Sequence, residues 1–294
     1  MGDPPPFSCP PIDCSVRAFL RPHKGVYGAV GGRIELGGYP WPMTYVDLSA
    51  QSAAAGGSPS LGGYLATPSG PDPFPAVLMI HEAFGLNDLV RGHADRMARA
   101  GYLTLAVDLF SDGGPRRCLV GTMRSMLRGS GRAFTDLATA RFWLATSPLS
   151  TGKTGVIGFC MGGGFALLVA RDGFDAASVN YGRLPGNLEE SLRGACPIVA
   201  NFGGRDITLK GAAGKLETAL DNLGIENSVK EFPTAGHAFL NEIDLGPAVF
   251  RPLMRVMGIG PDPESSPEAW QRINDHFARH LKSVDAHRPP SIAP

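Results

Sequence analysis

The sequence predicts an α/β protein, with a mostly parallel central sheet and helices packed on both of its faces. Short apolar runs that read as buried strands alternate with segments of helical periodicity from residue 43 to residue 282. Gly101 and Gly224 stand where two of the helical segments should end, the position that favours a left-handed residue. At 294 residues and 43% apolar content, the chain can also bury a core large enough to hold such a sheet without disulfides or metals.

The first strand-like run is 43–48, followed by runs at 61–67 and 77–81. A helix over 88–100 leads into a strand at 103–108, and a helix over 133–145 leads into a strand at 155–159. The pattern continues with a helix at 161–171, strands at 178–181 and 197–202, a helix at 210–223, a strand at 228–232 and a last helix at 267–282. Two stretches, 111–131 and 240–266, interrupt the alternation and are expected to frame a site. Residues 1–42 are rich in Pro and Gly and show no apolar periodicity, so they are expected to be a poorly ordered extension of a domain at 43–285, with a flexible tail at 286–294.

Lys plus Arg and Asp plus Glu each number 27, so the net charge is zero and the chain offers no field for a polyanion. Nucleic acid and anionic membrane surfaces are therefore not expected partners, whereas small neutral or singly charged ligands are. Apolar stretches such as 76–80 and 165–170 fall far below the roughly 18 to 20 residues of a membrane span. Residues 1–10 have no basic segment leading into an apolar one, and the expected location is cytoplasmic. Five cysteines, an odd number, do not make a disulfide framework, and the Cys9–Cys14 pair lacks the second pair that a metal knuckle requires.

The sharpest motif is Gly158-Phe159-Cys160-Met161-Gly162-Gly163-Gly164, directly after a strand and directly before an apolar helix. It reads as a nucleophile elbow with Cys160 as the nucleophile: a tight strand-to-helix turn in which flanking glycines let neighbouring backbone approach. The helix N-terminus then favours negative charge at the sulfur, and the Met161 amide can donate to a developing oxyanion. Taken alone, the motif also reads as a small buried Cys in a glycine-rich turn.

Partners follow from chain order, because the ends of parallel strands meet at one crevice. Asp206 follows the strand at 197–202 and His237 follows the strand at 228–232, giving the order nucleophile, acid, histidine. Glu82 follows the strand at 77–81 and would point into the same crevice, where it could accept the thiol proton, with the Ala83 amide as a second oxyanion donor. Each has a structural alternative: Asp206 as a turn or cap residue, His237 as a loop histidine, Glu82 as a cap for the helix near Asp88. His81 is read as structural at a strand end, and His93 as structural on a helix surface.

The segments 80–87, 101–110, 158–164, 204–206 and 236–239 resemble the dienelactone hydrolases, a cysteine-dependent branch of the α/β-hydrolase fold, over about residues 43–281. The resemblance implies Cys160, Asp206 and His237 as the triad, Glu82 as the residue holding the resting thiol, and Met161 and Ala83 as oxyanion donors. It further implies contacts to substrate from Phe84, Phe239 and position 241, a small ester or lactone as substrate, no cofactor, and a monomer or homodimer. Better-known members carry an Arg four positions after the catalytic His to grip a substrate carboxylate; here that position is Asn241. Arg116, Arg117, Arg124 and Arg128 are alternative cations, each also readable as part of a solvated helix face. An amidotransferase-like cysteine protein, or a non-catalytic hydrolase fold serving as a binding module, are the other functions weighed.

Overall fold

The computed structural model describes residues 44–243 and 258–282, so the expectations for 1–42, 286–294, Cys9 and Cys14 lie outside the described residues. Eight strands form one sheet: β1 (Thr44–Asp47), β2 (Gly62–Ala66), β3 (Phe74–Ile80), β4 (Leu103–Val107), β5 (Ser150–Phe159), β6 (Ala176–Asn180), β7 (Ile198–Gly203) and β8 (Asn227–Phe232). Their spatial order is β1-β2-β4-β3-β5-β6-β7-β8. The pairs β1·β2 and β2·β4 are antiparallel; every later pair is parallel. The helices are α1 (Ser49–Ala54), α2 (Asp88–Arg99), α3 (Pro115–Arg128), α4 (Arg132–Thr146), α5 (Met161–Val169), α6 (Leu188–Leu192), α7 (Ala212–Asn222) and α8 (Ser266–Phe277), the last running on through a wider turn at Ala278–Lys282.

The alternation of side chains along β3 shows why both faces need helices. Leu78 and Ile80 join one apolar cluster with Leu137, Phe165 and Leu216 of α4, α5 and α7. Val77 and Met79 join a second with Val90 and Met97 of α2 and Trp270 and Phe277 of α8. A strand buried on both sides must be apolar at consecutive positions, which is why these strands read as continuous runs. Among the described residues no helix is long and apolar enough to cross a membrane.

Register brings the chemistry to one edge. Ile80 pairs with Gly158, Phe159 with Asn180, Asn180 with Asn201, and Gly203 with Phe232, so the carboxyl ends of β3, β5, β6, β7 and β8 come level. The residues immediately beyond each strand therefore leave the sheet together.

The stretch 111–131 holds a helix, α3, begun by Pro115 and ended by the left-handed Gly129. Three expectations need correction. His93 is not on a helix surface: it is buried, its ring stacked on Phe159 at 4.9 Å and tilted against Trp270 at 5.1 Å. The strand expected at 178–181 stops at Asn180, and Tyr181 turns out of it with φ 41°. The strand expected at 155–159 begins earlier, at Ser150, where its residues are polar and partly exposed.

Candidate active site

Cys160 lies between β5 and α5 with φ 54° and ψ −114°, a backbone state that costs a non-glycine residue about 1–3 kcal/mol. The glycines around it are required by contact. A Cβ on Gly158 would lie 1.9 Å from the Gly162 carbonyl oxygen, and one on Gly162 would lie 2.2 Å from that of Ile80. The Cys160 amide donates to the Asn180 carbonyl at 3.0 Å and the Gly164 amide to the Cys160 carbonyl at 3.1 Å, which pins the turn between β6 and α5. Gly162→Ala is accordingly expected to destabilise the protein by more than about 3 kcal/mol, since backbone must move to admit the methyl group. Denaturant titration checks this, and a midpoint within experimental error of the parent would contradict it.

Among the described residues there are three free cysteines, and only Cys160 is not buried. Burial pushes the Cys196 thiol up to about 12, leaving it inert.

Asp206 and His237 sit on the loops after β7 and β8. His237 Nδ1 lies 2.5 Å from Asp206 Oδ2. Asp206 Oδ1 accepts from the Thr208 amide at 3.0 Å and the Thr208 hydroxyl at 2.6 Å. Burial opposes ionisation of Asp206, but these hydrogen bonds outweigh it and hold the carboxyl below its ordinary value. Burial likewise opposes charge on His237, yet the Asp206 carboxylate and the neighbouring Cys160 side chain raise the imidazole to about 10. The main chain holds the ring in place: the His237 amide donates to the Gly258 carbonyl at 2.7 Å, and the Gly260 amide donates to the His237 carbonyl at 2.9 Å.

Glu82 is buried beside them. Tyr181 Oη is 3.2 Å from its Oε1, and Asn241 Nδ2 is 3.3 Å from its Oε2. Its backbone is fixed by His81, whose Nε2 accepts from the Leu109 amide at 3.1 Å, so that Nδ1–H donates to the Glu82 carbonyl at 2.6 Å. The cap of α2 is Asn87, whose side chain accepts from the Val90 amide at 3.1 Å, so Glu82 has no part in capping. Ala83 follows Glu82 in a tight turn closed by the Gly85 amide on the Glu82 carbonyl at 3.1 Å.

Of the residues expected to touch substrate, Phe84 is 44% exposed. Phe239 is not: it is fully buried, packed on Tyr181 and Phe232, and is a core residue. Asn241 is 3% exposed and faces Glu82 and Tyr181. Arg116, Arg117, Arg124 and Arg128 are all exposed on α3. Tyr181 went unrecognised in the sequence, although its place at a strand end on the same sheet edge as Cys160 was a usable signal. Its ring packs on His237 with centroids 5.2 Å apart. Among the described residues no three His, Cys, Asp or Glu side chains cluster as a metal site.

A sequence model of the dienelactone hydrolase family matches residues 61–281. The chain is 27% identical to a Yersinia pestis protein named "Putative carboxymethylenebutenolidase" over 71% of its own length and 79% of the relative's. It superposes on a dienelactone hydrolase-like promiscuous phosphotriesterase from metagenomic libraries with a TM-score of 0.64 and 23% identity, covering 75% of this chain and 93% of the other. A dienelactone hydrolase from Anabaena variabilis gives 0.56 at 23% identity, covering 76% and 93%.

Proposed function

The chain belongs to the dienelactone hydrolase family, and from that premise we propose that it cleaves a small lactone or carboxylic ester through an acyl-enzyme on Cys160. The observation that carries this reading is the imidazole of His237, bound at Nδ1 by Asp206 and turned to Cys160 in a strained strand-to-helix turn.

In this mechanism His237, an imidazolium beside Asp206, already holds the thiol proton, and the Cys160 thiolate attacks the carbonyl carbon. The tetrahedral oxyanion receives hydrogen bonds from the Met161 and Ala83 amides. Collapse breaks the ester C–O bond, and His237 returns the proton to the departing oxygen, leaving a thioester. Water then attacks the thioester with His237 as base, and the second collapse expels the sulfur as a thiolate, leaving His237 charged beside it as the acid product leaves. Asp206 fixes the tautomer throughout. Phe84, the exposed aromatic beside Ala83, supplies apolar contact to substrate.

The position that would offer a cation to a substrate carboxylate carries Asn241, buried and neutral. A charge-assisted pair contributes roughly 1.5–3 kcal/mol. Neutral lactones and aryl esters are therefore expected to show kcat/KM at least about tenfold above carboxylate-bearing lactones of the same ring size, measured on a small panel. The reverse preference would place a substrate-binding cation elsewhere.

The nucleophile is tested by titrating the protein with iodoacetamide while following p-nitrophenyl acetate hydrolysis. Activity should fall in proportion to carbamidomethylation of the peptide containing Cys160 and vanish at one label per chain. Turnover that persists with Cys160 fully alkylated would contradict the assignment.

A further inference from the structure

Among the described residues, three that are not glycine have positive φ: Cys160 at 54°, Tyr181 at 41° and Ala238 at 61°. All three stand at one site, since Cys160 follows β5, Tyr181 follows β6 and Ala238 follows His237. Such a conformation costs an L-residue about 1–3 kcal/mol and persists only where its surroundings hold it. At Tyr181 the turn has a visible consequence. Side chains alternate along a strand, so β6 continued by one residue would send Tyr181 to the side of Ala177 and Val179, which belong to the first apolar cluster. The turn sends it instead to the second cluster, with Phe159 and Phe239. Glycine or asparagine would take this φ at lower cost, so the turn alone does not call for a tyrosine. What the tyrosine adds is a ring on that side of the sheet end.

The ring is fully buried and fixed at several points. Its residue is anchored by the Tyr181 amide, which donates to the Asn201 carbonyl at 2.8 Å. Phe239 meets the ring edge-on with centroids 5.7 Å apart, and Phe159 lies at 6.3 Å. The hydroxyl is 3.2 Å from Glu82 Oε1 and 3.4 Å from Asn241 Oδ1. Against this fixed ring lies the imidazole of His237, centroids 5.2 Å apart and planes at 59°. His237 needs such a wall. Its main chain is tied to Gly258 and Gly260, but its side chain is held by Asp206 at Nδ1 alone. One hydrogen bond at one nitrogen leaves a ring free to turn about that bond, which would swing Nε2 through an arc.

We propose that Tyr181 is a positioning residue: its left-handed backbone carries the ring across to His237, where it fixes the rotation of the imidazole about its Asp206 contact and so holds it turned to Cys160. This rests on the reading of Cys160 and His237 as the reacting pair. Tyr181 is 0% exposed, so it reaches substrate only through His237. The ring seats the imidazole, and the hydroxyl, set between Glu82 and Asn241, seats the ring.

The test separates ring from hydroxyl with Tyr181→Phe and Tyr181→Leu in the full-length protein. Proton NMR near neutral pH follows the His237 Nδ1 hydrogen in its bond to Asp206, a low-field resonance assigned by its disappearance in His237→Gln. It should be sharp in wild type and in Tyr181→Phe and broadened or absent in Tyr181→Leu, while backbone amide resonances away from the site keep the wild-type pattern. In hydrolysis of p-nitrophenyl acetate, Tyr181→Leu should lower kcat by about 10²-fold, the scale of a misplacement of about 1 Å, with KM little changed, and Tyr181→Phe should recover most of that loss. A sharp resonance in Tyr181→Leu, its loss in Tyr181→Phe, or an effect of Tyr181→Leu confined to KM would overturn the proposal. Should Tyr181→Leu fail to fold, Tyr181→Met carries the same expectations, and the resonance in Tyr181→Phe decides where neither folds. The resonance needs no substrate, so failure of the nucleophile assignment would appear separately, as turnover after alkylation of Cys160.

Discussion

Cys160→Ala is expected to lower kcat for ester and lactone hydrolysis by at least about 10³-fold, equivalent to about 4 kcal/mol of transition-state stabilisation. The substitution removes the sulfur proposed to form the thioester and leaves every hydrogen bond of the turn in place, since those run through the Cys160 backbone to Asn180 and Gly164. The melting temperature should therefore stay within a few degrees of the parent, because alanine has the same Cβ and meets the same positive φ. Residual turnover would reflect only the oxyanion donors acting on attacking water. Stopped assays on p-nitrophenyl acetate, with thermal melts of the same samples, measure both halves of the expectation. Activity within tenfold of wild type would remove Cys160 from the mechanism.

Asp206→Asn should cost nearly as much, about 10³- to 10⁴-fold in kcat. The amide can present its NH₂ to His237 Nδ1, which forces the ring proton onto the nitrogen that has to accept from the thiol. The pair also leaves a signature in stability. Asp206 is held below its ordinary value, so its contribution is present above about pH 4 and lost as pH falls. His237 is raised to about 10, so its contribution is full below about pH 6.5 and drains away as pH climbs toward about 10. The melting-temperature gap between wild type and Asp206→Asn should thus be widest between about pH 4 and about pH 6.5 and should narrow on either side. A gap independent of pH would mean that the two residues are not an ion pair.

What could be read from the sequence depended on the range of the interaction. The elbow was legible because its glycine pattern is local: Gly158, Cys160 and Gly162 lie within five positions, even though the backbone that a Cβ on Gly162 would meet belongs to Ile80 of β3. Asp206 and His237 were legible through order alone, since parallel strands deliver their ends to one edge. Helix α3 was not read as an element, although Cys118, Thr122 and Met126 are buried at four-residue spacing along one side of it and Val120 and Leu127 are exposed on the other. His93 was misplaced because the residue that covers it, Trp270, comes from α8 near the far end of the described chain.

By itself, then, the sequence determined the fold class, the glycine-rich strand-to-helix turn at Cys160 and the arrival of Asp206 and His237 at the same sheet edge, all of which follow from short patterns and from the handedness and direction of strands. Tertiary structure decided the partners and charge states. Phe239 became core and Asn241 turned inward; Glu82 gained neighbours 99 and 159 positions away in Tyr181 and Asn241. The physical reason is that a side chain's protonation and hydrogen bonding are set by burial and by the dipoles around it, and for a buried group those come from whichever distant segments the fold packs against it.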